Sequence, residues 1–483
     1  MIQWLIGISI VYLGILGTLA WRSRQKNTSA DSFMLGGQNL GYIIGFMTVA
    51  ATMFSTFTLM GMPDFFRLNG IGAWIFLAVS DGAMVFVIIW FAYYLRKKVA
   101  KNGFKGMAGL LNKCYKSKTA GFVYFIGIFL FLIPYVAIQI RGIGIFLEAV
   151  FPSALPYWGW GLCIIGLMLL YSETGGLKAI IFADVMQGTL LMIVVWLIAS
   201  SCVKAMGGVE EMFAQVEQVN APLLSVPGPN GLFSVQFLLG SFLVLLLMPI
   251  TQPQFSTRLV IMRDLKATHR MAVAVGCFAI LVIMPTIPIG LYGALNYADL
   301  STADFLSQVL LFDQANWIAA AAIIGLIAAA ISTSDSQIFA LGSEFRSLLG
   351  GTEKANLLRA KIAILIFAFA AWGFSILASD QLVLLARVSF AGTAMMGPMI
   401  LAAILTQKKQ GSEIIVASAI GLFAFLASLL GIIPDSLWGF RLDLILLGGV
   451  GLVTVISVLL QKGKGEEDTP RVAEEWEVAN QDT

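Results

Sequence analysis

AATMFSTFTLMGMPD, residues 50–64, is a stretch that a continuous membrane helix would not use. Thr52, Ser55, Thr56 and Thr58 crowd ahead of Gly61 and Pro63, inside a run whose flanks are apolar. A second stretch, LLLMPITQPQFSTRL at residues 245–259, sets Pro249 and Pro253 on either side of Gln252. Each proline removes a backbone donor, so the helix opens there and its freed carbonyls need another partner. One such break is an ordinary proline kink. Two, five apolar segments apart, match the spacing of two inverted repeats of five helices each.

The frame around the breaks is membrane-spanning. The chain of 483 residues is 59% hydrophobic and 12% charged, too apolar for a single water-facing core. A bilayer core of about 30 Å needs about 20 helical residues to cross. Thirteen segments of roughly that length follow one another: 4–21, 41–62, 70–95, 119–147, 155–171, 177–203, 232–257, 271–294, 315–345, 357–378, 381–406, 412–433 and 441–461. The expected fold is an all-α polytopic membrane protein of about 13 transmembrane helices.

Its parts are a first helix and inner hinge at 1–40, a five-helix repeat at 41–203, an outer loop at 204–231, a second repeat at 232–406, two further helices at 407–461, and a polar acidic tail at 462–483 read as disordered. Arg22, Arg24, Lys26, the basic cluster from Arg96 to Lys118, and Arg258, Arg263, Lys266 and Arg270 fall in alternate hinges. The hinges between hold Arg67, Lys204 and Arg441. By the positive-inside rule the N-terminus lies outside and the C-terminus in the cytoplasm of a cell (inner) membrane.

Enzymatic chemistry is not expected. Four cysteines are scattered, His269 is the single histidine, and neither a nucleophile constellation nor a phosphate-cradling glycine loop stands out. Nothing points to nucleic acid; the lipid bilayer is an expected partner, with the chain acting as a monomer or a loose homodimer. Asp81, Arg141, Asp184, Asp335 and Arg387 fall within spans, where each ionisable group costs roughly 2.5–3.5 kcal/mol. Asp81 and Arg141 could pair as internal glue.

In AAAISTSDSQ, residues 328–337, Ala329, Ser332, Thr333 and Ser336 share one helix face. Such a stripe packs helices closely. Beside Asp335 and a broken helix it also offers neutral oxygens to a monovalent cation, for which sodium fits best.

With these residues in place, the chain resembles the sodium:solute symporter family, the relatives of the sodium/proline, sodium/glucose and sialic acid symporters. The resemblance rests on DSFMLGGQNLG at 31–41, STFTLMGMPDFF at 55–66, YSETGGLKAIIFADVMQ at 171–187 and AAAISTSDSQ, in family order along most of the chain. It implies a LeuT-like core of two inverted five-helix repeats and a sodium site between the second and ninth helices. The implied ligands are the carbonyls of Ala51, Phe54 and Ala329 and the hydroxyls of Ser332 and Thr333.

A second sodium or proton site would involve Asp184, Asp335 and Ser336, with Asp335 standing where two-sodium relatives carry serine. The implied solute positions are Met53, Ser55, Thr58, Asp81, Gln139, Arg141, Gln252 and Phe255. Met53 replaces a polar residue of several relatives, which disfavours a sugar, and Arg141 offers a two-pronged partner for a carboxylate. The expected function is sodium-coupled import of an organic acid, amino acid or pantothenate-like solute by alternating access. A proton-coupled symporter of the same fold and a membrane solute sensor are the alternatives.

Overall fold

The computed structural model describes residues 1–23, 30–35, 39–349, 352–378, 382–406 and 410–462. The tail read as disordered lies outside the described residues from position 463 onward. The main helices are α1 (Ile2–Ser23), α2 (Tyr42–Met53), α3 (Met62–Asn69), α4 (Ser80–Asn102), α5 (Met107–Tyr115) and α6 (Lys118–Val150). They continue as α7 (Tyr157–Ala205), α8 (Val209–Asn220), α9 (Val235–Leu246), α10 (Pro253–Ile261), α11 (Leu265–Ile283) and α12 (Thr286–Asn296). The remainder are α13 (Asn316–Leu348), α14 (Glu353–Leu377), α15 (Leu382–Ala394), α16 (Gly397–Leu405), α17 (Ser412–Leu429) and α18 (Leu442–Lys462).

Among the described residues nine helical stretches are individually long and apolar enough to cross a bilayer, and three bent pairs add one crossing each. Two shorter apolar helices, Tyr157–Leu170 and Thr302–Phe312, accompany these twelve, and the first covers most of the expected 155–171 segment. Both predicted breaks are present: α2 and the segment Phe57–Asn69 meet at 53°, Val235–Thr251 and α10 at 51°. A third, between α15 and α16 at 42°, falls inside the expected 381–406 segment, where Gly397 and Pro398 carry the signal.

Segment 204–231 carries α8, which buries Met212 and Val216, followed by a single turn of tighter helix at Ala221–Leu224. The carbonyl of Leu223 in that turn accepts the Ile71 N–H at 2.7 Å.

Inside α7 the chain turns at Gly176, with φ 59° and ψ −151°. A Cβ at that position would lie 2.4 Å from the Phe33 carbonyl oxygen, so the close approach and the left-handed φ both require glycine. The core is built around α13. Nearly every side chain of this helix from Ile318 to Arg346 is buried, against α7, α6, α14 and α1.

Two arginines fasten helix ends. Arg67 at the end of α3 donates from Nη1 to the carbonyls of Tyr297, Ala298 and Leu300 just past α12, at 2.9, 3.0 and 3.1 Å. Arg96 near the end of α4 donates from Nη1 to Leu259, Val260 and Met262 at the end of α10, at 3.2, 3.4 and 2.5 Å.

The last carbonyls of a helix lack intrahelical donors and carry partial negative charge, so a cation there answers both needs. Arg67, read from sequence as an outer-hinge cation, is instead buried. It also pairs with Asp64 at 2.7 Å and lies over the Phe305 ring. Arg67→Gln is expected to cost about 1–3 kcal/mol, read as a lower thermal unfolding midpoint of the purified protein.

Candidate functional site

In a continuous helix the Ala51 carbonyl would accept the Ser55 N–H. Here Phe54 turns extended (φ −100°, ψ 122°), and the last helical bond runs from Phe54 N–H to the Ala50 carbonyl at 2.9 Å. The Ser55 N–H goes to Thr58 Oγ1 at 3.1 Å, the Thr56 N–H to Gln139 Oε1 at 3.1 Å, and the Phe57 N–H to Ser55 Oγ at 3.2 Å. The Ala51 carbonyl is thereby left free of its helical donor. It faces α13, where Ser332 Oγ lies 3.1 Å and Thr333 Oγ1 3.3 Å away.

Neighbouring oxygens on a cation of calcium's size, held at about 2.3–2.6 Å, stand about 3.3–3.7 Å from each other. Sodium is close to that size. The three oxygens therefore need only small adjustments to share one ion. Phe54 is buried at the break, and Ala329, one turn before Thr333 on the stripe face, is buried as well.

Behind this junction lies a fully buried ion pair. Asp184 Oδ1 accepts from Ser332 Oγ at 2.6 Å, and Oδ2 from Thr48 Oγ1 at 2.5 Å and Arg258 Nη2 at 3.2 Å. Arg258 also donates from Nη2 to Ser336 Oγ at 2.7 Å, from Nε to Thr48 Oγ1 at 2.9 Å and from Nη1 to the Gln254 carbonyl at 3.2 Å. From sequence, Arg258 is expected among the cytoplasmic hinge cations. It is 1% exposed inside α10, because Asp184 and three further oxygens offset its charge.

The sequence does carry a signal for this. Asp184 in a span needs a counterion, and Arg258 is the first cation after the second break. Asp335 takes no part in the cluster. Neither of its carboxylate oxygens has a hydrogen-bond partner among the described residues. It stands in electrostatic reach of Tyr12, whose hydroxyl accepts from Gln187 Nε2 at 3.0 Å.

The expected solute positions separate into groups. Ser55, Thr58 and Gln139 brace the opened backbone, as above. Gln252, extended at φ −92° and ψ 127°, holds the second break and accepts from Gln254 Nε2 at 2.5 Å. Phe255 is buried one turn into α10. Arg141 donates to the carbonyls of Ser375 and Ile376 at the end of α14, at 2.9 and 3.5 Å, and lies over the Tyr157 ring.

Met53 and Asp81 alone of the eight line the narrow cavity beside the first break. Its other walls come from α6, α9 and α15, where Tyr135, Leu245, Arg387 and Phe390 face it. Arg387, one of the charges that fall within spans, donates to Ser241 Oγ at 2.8 Å and Asp443 Oδ2 at 2.6 Å.

This architecture is shared with known proteins. Over 95% of this chain and 97% of the other, at 18% identity and TM-score 0.76, it matches a Na⁺-coupled sialic acid symporter in a substrate-bound outward-open state. It also matches Mhp1, a nucleobase-cation-symport-1 family transporter, at 13% identity and TM-score 0.56 over 90% and 94% of the two chains. These likenesses establish a LeuT-like fold.

In sequence, the chain is 25% identical over 285 residues to the sodium/pantothenate symporter of Escherichia coli (strain K12), covering 58% of this chain and 57% of that protein. It is 24% identical over 346 residues to the Haemophilus influenzae sodium/pantothenate symporter, covering 70% of each. To sodium/proline symporter 2 of Staphylococcus saprophyticus it is 24% identical over 413 residues, covering 79% and 77%. The model of the sodium:solute symporter family matches residues 33–421, and the chain belongs to that family.

Proposed function

We propose that the protein imports a small organic solute by sodium-coupled symport, from a multi-pass position in the cell membrane with its N-terminus outside. The observation that carries the reading is the Ala51 carbonyl, released at the α2 break and facing the Ser332 and Thr333 hydroxyls at 3.1 and 3.3 Å. Sodium held there, with the carbonyls of Phe54 and Ala329, ties a hinge in the first repeat (41–203) to α13 in the second (232–406). The ion and the cavity share the α2 break, so sodium binding shapes the solute site and each ligand raises the affinity for the other by the same factor. A membrane potential negative inside adds about 2.3 kcal/mol per charge per 100 mV.

Asp184 acts through Ser332. With the hydroxyl proton turned to Asp184 Oδ1 at 2.6 Å, the lone pairs of Ser332 face the ion. Arg258 is a fixed cation at the place suggested for a second sodium, bonded to both Asp184 and Ser336. The stoichiometry proposed is therefore one sodium per cycle.

Purified protein in liposomes tests this. An inward sodium gradient is expected to accumulate solute above its outside concentration, and replacing sodium by choline is expected to abolish the accumulation. The partnerless carboxylate of Asp335 favours a proton-coupled reading as the second choice. Accumulation driven by a pH gradient at zero sodium would select it.

A further inference from the structure

We propose, resting on the symporter reading above, that the transported solute is a zwitterionic amino acid with a compact apolar side chain, whose ammonium is bound by Asp81. Three of the carboxylates buried in this fold have an arginine partner. Asp184 is held by Arg258, Asp64 by Arg67, and Asp443 by Arg387. Asp81 is 8% exposed, makes no hydrogen bond or ion pair among the described residues, and lines the cavity beside the α2 break. A carboxylate in such a wall is costly until a donor of opposite charge meets it.

The rest of the wall fits the same ligand. Phe54, Phe57, Phe76, Tyr135 and Phe390 surround the space, and aromatic faces attract a desolvated ammonium while accepting an apolar side chain. Arg387 has Nε on Ser241 and Nη2 on Asp443, which leaves Nη1 without a hydrogen bond among the described residues to receive a carboxylate. A free acid or a sugar leaves Asp81 without a counter-charge. Arg141, the residue that would favour an acid, is turned to the carbonyls of α14 instead.

The test uses the purified full-length protein in sodium and reads its thermal unfolding shift. The probes are valine, leucine, proline and phenylalanine, each as the free amino acid, the N-acetyl acid and the amide, together with pantothenate. At least one free amino acid is expected to stabilise the protein, and its N-acetyl form to bind at least tenfold more weakly. The amide, which keeps the ammonium, is expected to lose less than the N-acetyl form.

Asp81→Asn is expected to remove the amino acid response while keeping the shift caused by sodium alone, and Asp81→Glu to restore part of it. Three results would overturn the proposal: pantothenate or an N-acetyl acid binding as well as any free amino acid, an unchanged response in Asp81→Asn, or silence of the whole amine panel. Absence of any sodium shift in the wild-type protein would instead count against the symporter reading itself.

Discussion

Arg258→Met is expected to destabilise the protein by about 3–5 kcal/mol, because it leaves the Asp184 carboxylate buried without its counterion. The guanidinium meets four oxygens at once, the Gln254 carbonyl among them, and ties α10 to α2 through Thr48, to α7 through Asp184 and to α13 through Ser336. Asp184→Asn is expected to cost less, since Arg258 keeps Thr48, Ser336 and the Gln254 carbonyl as acceptors.

The double variant Asp184→Asn with Arg258→Met is expected to recover part of the loss. The single and double costs then fail to add, as they do for groups in one network. Thermal unfolding of the four proteins measures this cycle.

The same variant probes the stoichiometry. Methionine opens a space bordered by Asp184, Thr48 and Ser336 oxygens, so sodium is expected to stabilise Arg258→Met more than it stabilises the wild type, with choline as the control. An equal sodium effect in both would mean that the guanidinium does not occupy a cation's place.

Ser332→Ala and Thr333→Ala are expected to raise the sodium concentration for half-maximal uptake about fivefold or more, the loss of one ligand interaction of about 1–3 kcal/mol. Ser332→Ala is the more severe, because it also strips Asp184 Oδ1 of its donor at 2.6 Å. Thr333→Ser keeps the hydroxyl and is expected to stay near wild type. By reciprocity, solute affinity at low sodium falls in both alanine variants and recovers at saturating sodium. Sodium activation curves unchanged in both would remove the Ala51–Ser332–Thr333 site.

Several features of this protein were legible in the residues themselves. Apolar runs of membrane length, prolines at 249 and 253, the Gly61 and Pro63 pair after four hydroxyls, and the i, i+3, i+4, i+7 stripe on α13 are local properties. They state where helices run and where they open, whatever those helices pack against. Gly397 and Pro398 carried the same kind of message for the third bend, and apolar flanks concealed it.

Other features had no local expression. A polar side chain in a span announces that it needs a partner without naming one. Ser55, Thr58 and Gln139 read as solute contacts, and nothing in their order along the chain announces the hydrogen bonds they make to the opened backbone. Arg258 reads as a hinge cation until a carboxylate 74 residues earlier in the chain is folded against it.

The sequence alone therefore determined the membrane helices, their breaks and the hydroxyl face, because hydropathy, proline geometry and helical periodicity act over a few neighbouring residues. Only the tertiary structure decided which buried charges cancel and which one, Asp81, stands over the cavity uncancelled. Pairing energies depend on distances through the folded protein and on water excluded from between the helices, and neither is written in the order of the residues.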